Sequence, residues 1–115
     1  MSILSEKIFN LLREVFPFAK IIKEYSIVHN NQRLFVDFYL PSYLLAVEVH
    51  GTQHDKFVKH FHGDAAGWRA HKYRDRVKCE WADLNGVTYV VIREENMIVT
   101  KEDLLNLIRS CSHDG

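Results

Sequence analysis

Apolar residues recur at helical spacing near the start of the chain, with Leu4, Ile8, Leu11, Leu12 and Val15 on one face. The pattern predicts a helix over residues 3–16, with Ser2 as its N-cap and Pro17 as its stop. Two extended segments follow, over residues 21–28 and 33–40. The link between them, His29-Asn30-Asn31-Gln32, has the asparagines that suit a hairpin turn. Pro41-Ser42-Tyr43 turns the chain into residues 44–50, a stretch so nearly all apolar that it reads as the centre of a sheet. Gly51 ends it.

Residues 52–67 are polar, His-rich and broken by glycine, and read as a loop. A second helix is predicted over residues 66–84, with Tyr73, Val77, Trp81 and Leu84 inward and Asn85-Gly86 as its C-terminal cap. Residues 87–92 form a fourth strand. Thr100-Lys101-Glu102-Asp103 resembles a capping box, opening a last helix with Leu104, Leu105 and Ile108 inward. The order is α-β-β-β-α-β-α, an α/β (α+β) fold with a mixed four-stranded sheet flanked by helices. Residues 1–115 suit one domain.

Composition narrows the class without naming a function. A hydrophobic fraction of 47% fits a folded core, and no apolar run approaches the roughly 18 residues of a membrane span. The first residues lack the basic and apolar regions of a signal peptide, and Cys79 and Cys111 are too few for a disulfide framework. The expectation is a cytoplasmic protein with no membrane partner. Net charge is zero, but residues 56–78 hold Lys56, Lys59, Arg69, Lys72, Arg74, Arg76 and Lys78 against Asp64 and Asp75. Such a basic middle can follow a phosphate backbone.

Two acids sit where burial argues against them: Asp37 in LFVDFYL and Glu48 in LLAVEVH. A buried carboxylate is costly unless compensated. If the two strands pair through the Pro41–Tyr43 turn, the carboxylates approach each other, and a divalent cation relieves their repulsion. Mg²⁺ prefers such oxygen ligands. Alternation puts Glu48 and His50 on one face and leaves the Val49 carbonyl as a further ligand, with His50 placed to accept or deliver a proton. The bland alternative is that these acids end strands or pair with Arg33 and Arg93.

The segment RLFVDFYLPSYLLAVEVHGTQHD, residues 33–55, resembles the core of PD-(D/E)XK nucleases. The similarity is to the branch of very-short-patch-repair endonucleases and EDxHD homing endonucleases. Asp37, Glu48, His50-Gly51 and Gln53-His54-Asp55 match in order. His50 stands thirteen residues after Asp37, and Asp55 five after His50. Ser5-Glu6-Lys7 before Leu11-Leu12 resembles the first-helix glutamate pattern of that branch, and Tyr73–Lys78 resembles its second helix. His50 replaces the usual lysine two residues after the acid, which points to the histidine-using branch. The zinc-binding Cys/His set of the mismatch-repair enzymes has no counterpart, so mismatch specificity is not implied.

The resemblance implies a restriction-endonuclease-like core and phosphodiester hydrolysis in DNA, in a bacterial or phage-infected cell. Asp37, Glu48 and the Val49 carbonyl would hold Mg²⁺, for which Mn²⁺ would substitute. His50 would be general base or leaving-group acid, with Asp55 orienting it or sharing the proton. Glu6 would assist through a coordinated water, with Glu14 or Glu24 as alternatives, since Glu6 projects away from the apolar stripe of its helix. Gln53, His54, Arg74 and Lys78 would contact DNA, the last two from the outward side of the second helix. Specificity would come from loops such as residues 56–67 or from a protein partner, and a single site would nick one strand, a double-strand break needing a homodimer or two visits. The rivals are an inactive nuclease-fold DNA-binding or accessory protein, and a junction or RNA nuclease. His60, His62 and His71 read as loop and surface residues rather than a structural zinc site. Trp68 and Trp81 read as core or cover, and His29 as part of a turn.

Overall fold

A computed structural model describes residues 2–50 and 65–111, with the side chains of residues 65–71 left aside. The elements follow the expected order: α1 (Ile3–Val15), β1 (Ile22–His29), β2 (Gln32–Leu40), β3 (Leu45–His50), α2 (Ala65–Leu84), β4 (Thr88–Arg93) and α3 (Lys101–Cys111). The fold is mixed α/β. Among the described residues no helix is long and apolar enough to cross a membrane.

Local chemistry sets the boundaries. Ser2 Oγ accepts the Ser5 N–H at 3.1 Å, which satisfies one free donor at the start of α1. Asn30 and Asn31 both take positive φ, 51° and 60°, so the β1–β2 hairpin turns through two left-handed residues that asparagine tolerates. At the end of α2, the Val87 N–H donates to the Ala82 carbonyl while Gly86 sits at φ 66°, a Schellman closure. Asp103 accepts the Thr100 N–H at 2.9 Å and Thr100 Oγ1 accepts the Asp103 N–H at 3.2 Å, completing the capping box of α3.

The strands run in the order β1-β2-β3-β4, antiparallel except for the parallel β3–β4 pair that α2 connects. Both faces are covered. On one, α1 and α3 bring Ile8, Leu11, Leu12 and Leu104 onto Phe38, Leu40, Leu45, Val47, Val90 and Ile92. On the other, α2 brings Val77, Trp81 and Ala82 onto Ile27, Leu34, Val36, Tyr39, Ala46 and Val87. This double cover is why Phe38-Tyr39-Leu40 and Leu45-Ala46-Val47 are apolar without alternation.

Several sequence expectations shift. Helix α2 starts at Ala65, so Gly67 lies inside a helix rather than in the loop, and residues 52–64 lie outside the described residues. Tyr73 and Leu84 do not face inward: they are 40% and 75% exposed, because the face of α2 that meets the sheet runs through Val77, Trp81 and Ala82. In α3, Leu104 is fully buried, with Leu107, Ile108 and Cys111 packed beside it instead of Leu105. Trp81 is half-buried against Tyr25 and Tyr39, as core cover. His29 reaches Glu80 of α2 at 3.5 Å, and so ties the hairpin to the helix.

The hairpin also changes phase. Tyr25 and Ile27 of β1, and Leu34 and Val36 of β2, pack on the α2 side. Past Glu24 and Asp37 the α2-facing residues become Ile22 and Tyr39, one position out of step. Glu24 has φ 50°, and the ladder pairs Lys23 with Phe38 and Tyr25 with Val36 while skipping Glu24 and Asp37 between them. A non-glycine residue in this region is uncommon, and such positions collect at functional sites.

Two substitutions test the packing and the cap. Leu12→Ala should cost about 3 kcal/mol in urea unfolding, since it empties a fully buried position. Gly86→Ala should cost only about 1 kcal/mol, because nothing lies within 4 Å of an added Cβ and the left-handed φ is the sole penalty.

Candidate active site

The β2–β3 ladder ends at Phe38↔Val47, one pair short of Asp37 and Glu48. There the strands separate, and the side chains take over the hydrogen bonding. The Asp37 N–H donates to Glu48 Oε1 at 3.2 Å, and the Val49 N–H donates to Asp37 Oδ2 at 2.7 Å. Each carboxylate crosses the gap to satisfy backbone that the ladder no longer serves. The exchange fixes both acids at the point where the sheet opens.

Glu48 and His50 lie two apart on β3, both buried, with His50 Nε2 3.3 Å from Glu48 Oε2. An ionised carboxylate only accepts, so the contact is a hydrogen bond in the tautomer that carries the proton on Nε2. On the other side, Lys78 Nζ of α2 stands 3.2 Å from Glu48 Oε1, its side chain only 12% exposed. Arg74, one helical turn earlier, is exposed, and it borders the same cavity of about 360 Å³ with Asp37, Glu48, Val49, His50, Asp75 and Lys78.

The two acids titrate in opposite directions. Burial, helped by the neighbouring Glu48 charge, pushes the Asp37 carboxyl above its ordinary value despite the Val49 N–H and Lys78. Burial would do the same to Glu48, but the His50 hydrogen bond and the Lys78 ammonium outweigh it and hold that carboxyl below its usual value. On β4, burial and then the Glu48 charge push the Tyr89 phenol up, and its buried hydroxyl has no hydrogen-bond partner among the described residues.

The structure thus brings together Asp37, Glu48, Val49, His50, Arg74 and Lys78. The outward placement of Lys78 is corrected: it turns in toward the sheet, because a buried Glu48 draws the nearest ammonium. The ion pairs that hold Glu48 are those with Lys78 and His50. Glu6 is exposed on α1, which packs on the opposite face of the sheet, and it does not border the cavity; nor do Glu14 and Glu24. Gln53, His54 and Asp55 lie outside the described residues, as do His60 and His62 and the side chains of Trp68 and His71. Sequence reasoning missed Asp75 and Tyr89. Asp75 precedes Lys78 by three, so helical spacing could have found it. Tyr89 becomes visible only once the β3–β4 register sets it beside Ala46, two residues before Glu48.

Among the described residues, no group of three or more His, Cys, Asp or Glu side chains could hold a metal ion. Two adjacent carboxylates open to a cavity still fit Mg²⁺, which commonly takes one or two carboxylates and completes its shell with waters and substrate phosphate.

Against known proteins, no family model and no solved structure matches the chain. It is similar to the uncharacterized protein 307L of Invertebrate iridescent virus 6, at 38% identity over 64 residues. The match covers 56% of this chain and 32% of the viral protein, so the chain spans about a third of that relative's length.

The opposed shifts give a pH test in EDTA. Asp37, raised in the folded state, favours folding below its unfolded value, and that contribution is lost as pH rises through the folded one. Asp37→Asn should therefore raise the melting temperature at pH 7, with the gain shrinking toward pH 4. Glu48, lowered in the folded state, contributes stability above its unfolded value of 4.5 that is lost as pH falls through the folded one. Glu48→Gln should lower the melting temperature at pH 7 and matter less in acid. Thermal melts across that range check both signs.

Proposed function

We propose that the chain is a metal-dependent DNA endonuclease acting in the cytoplasm of a bacterial or virus-infected cell. The observation that carries this reading is the convergence of Asp37, Glu48 and His50 on one cavity that Arg74 and Lys78 also border. Acids, a proton carrier and cations around an open space match what phosphodiester hydrolysis needs. The likeness of residues 33–55 to PD-(D/E)XK nucleases supports it as well.

In this reading Asp37 and Glu48, with the Val49 carbonyl, would hold Mg²⁺ or Mn²⁺. The ion supplies polarisation of the phosphoryl oxygen and a lowered pKa for the attacking water. Asp37 is fixed by the Val49 N–H and Glu48 by the Asp37 N–H, so neither must reorganise when charge develops. His50, 3.3 Å from Glu48 and lining the cavity, would accept or deliver the proton there. Arg74, exposed at the cavity, positions a backbone phosphate without reading sequence. Sequence preference would come from a second copy of the chain or from a protein partner.

One observation favours a second reading, a DNA-binding accessory protein of the same fold without activity. Both oxygens of Glu48 are already engaged, one by Lys78 and one by His50.

A plasmid-nicking assay separates the two readings. Supercoiled DNA should be nicked with Mg²⁺ or Mn²⁺ and left intact with EDTA. Asp37→Ala should lose about a hundredfold or more in rate, and His50→Ala about a hundredfold. Cleavage that persists in EDTA, or in pure Asp37→Ala, contradicts the endonuclease mechanism. DNA binding without cleavage under every metal condition supports the accessory reading. Cleavage confined to branched DNA or to RNA would instead redirect the substrate class.

A further inference from the structure

The ion pair between Lys78 and Glu48 has a consequence for how the site would load. Glu48 is 6% exposed, and a carboxylate at that depth needs a counter-charge. The chain itself provides one: the Lys78 ammonium at 3.2 Å from Oε1. The same oxygen also accepts the Asp37 N–H, so Lys78 sits on the side of Glu48 that faces Asp37 across the gap between the strands. A divalent ion shared by the two carboxylates would meet that ammonium at close range, and like charges there repel. Lysine is suited to give way. Its charge is a compact point on a flexible four-carbon stem, and α2 carries Arg74 one turn away at the exposed part of the same cavity.

We propose that Lys78 is a tethered stand-in for the metal: it neutralises Glu48 while the site is empty, and is displaced toward the cavity opening beside Arg74 when a divalent cation binds. The inference rests on the endonuclease reading and deepens it. The displaced ammonium arrives where a substrate phosphate would lie, so metal and phosphate assist each other's binding. By linkage, metal alone binds more weakly than metal with substrate. The arrangement also guards against an uncompensated buried acid in the metal-free protein, without a second permanent cation in the loaded site.

The test uses Mn²⁺ alone, with no DNA. Titration calorimetry compares wild type with Lys78→Met and with Lys78→Met/Asp37→Asn. Lys78→Met should bind Mn²⁺ about tenfold more tightly than wild type, and the double variant should lose that binding. A second measurement keeps the wild-type chain and so does not depend on how the variant folds. Amine acylation followed by mass spectrometry should label Lys78 slowly in EDTA, and about fivefold or more faster with saturating Mn²⁺, while exposed Lys7 and Lys101 stay constant. Equal or weaker Mn²⁺ binding by folded Lys78→Met overturns the proposal, as does unchanged Lys78 labelling when Mn²⁺ is bound. If Mn²⁺ binds wild type through Asp37 and Lys78 does not respond, only this inference falls. If Mn²⁺ binds none of the proteins, Lys78→Met included, this inference falls, while the endonuclease reading stands or falls by the plasmid-nicking assay.

Discussion

The structure turns on an exchange of hydrogen bonds at one point in the sheet. Where β2 and β3 part, backbone N–H groups of Asp37 and Val49 lose the ladder, and the carboxylates of Glu48 and Asp37 replace it. A sheet that continued pairing would have had no reason to place acids there, and acids without that backbone would have been too costly to bury. Each half of the arrangement accounts for the other. It yields two carboxylates, held apart by little and fixed from behind, at the edge of a cavity.

The remainder of the fold supports that opening. Helices α1 and α3 seal the far face with the main apolar cluster, so packed side chains back the sheet beneath the acids. The phase change at Glu24 and Asp37 lets the hairpin stay packed on α2 at both ends while Asp37 leaves the ladder in the middle. Helix α2 anchors itself through Val77, Trp81 and Ala82. It thereby delivers Lys78 to Glu48 and leaves Arg74 exposed at the cavity. Packing, in other words, sets the electrostatics: one helix face decides which cation answers the buried acid.

Much of this was legible in the sequence, for identifiable reasons. Helix α1, the Asn30-Asn31 turn, the Gly86 cap and the Thr100–Asp103 box each follow from local chemistry, and local chemistry is what a sequence displays. Asp37 and Glu48 stood out because each interrupts an apolar strand. What stayed hidden depends on tertiary contact. Lys78 read as a DNA contact on the outward side of its helix, because nothing near it in the chain announces Glu48, thirty residues away. Tyr89 looked like ordinary strand filling until the parallel β3–β4 register placed it next to the site. Glu6 suited a motif by order alone, and the face on which α1 packs separates it from the cavity.

The account rests on the carboxylates of Asp37 and Glu48 serving one cation. The most direct measurement is a crystal structure of the protein soaked in Mn²⁺, with anomalous scattering used to find the ion. The expected result is a single strong peak within direct coordination distance of an oxygen of each carboxylate. A peak elsewhere, with both acids still bound only to backbone N–H groups, His50 and Lys78, would contradict it.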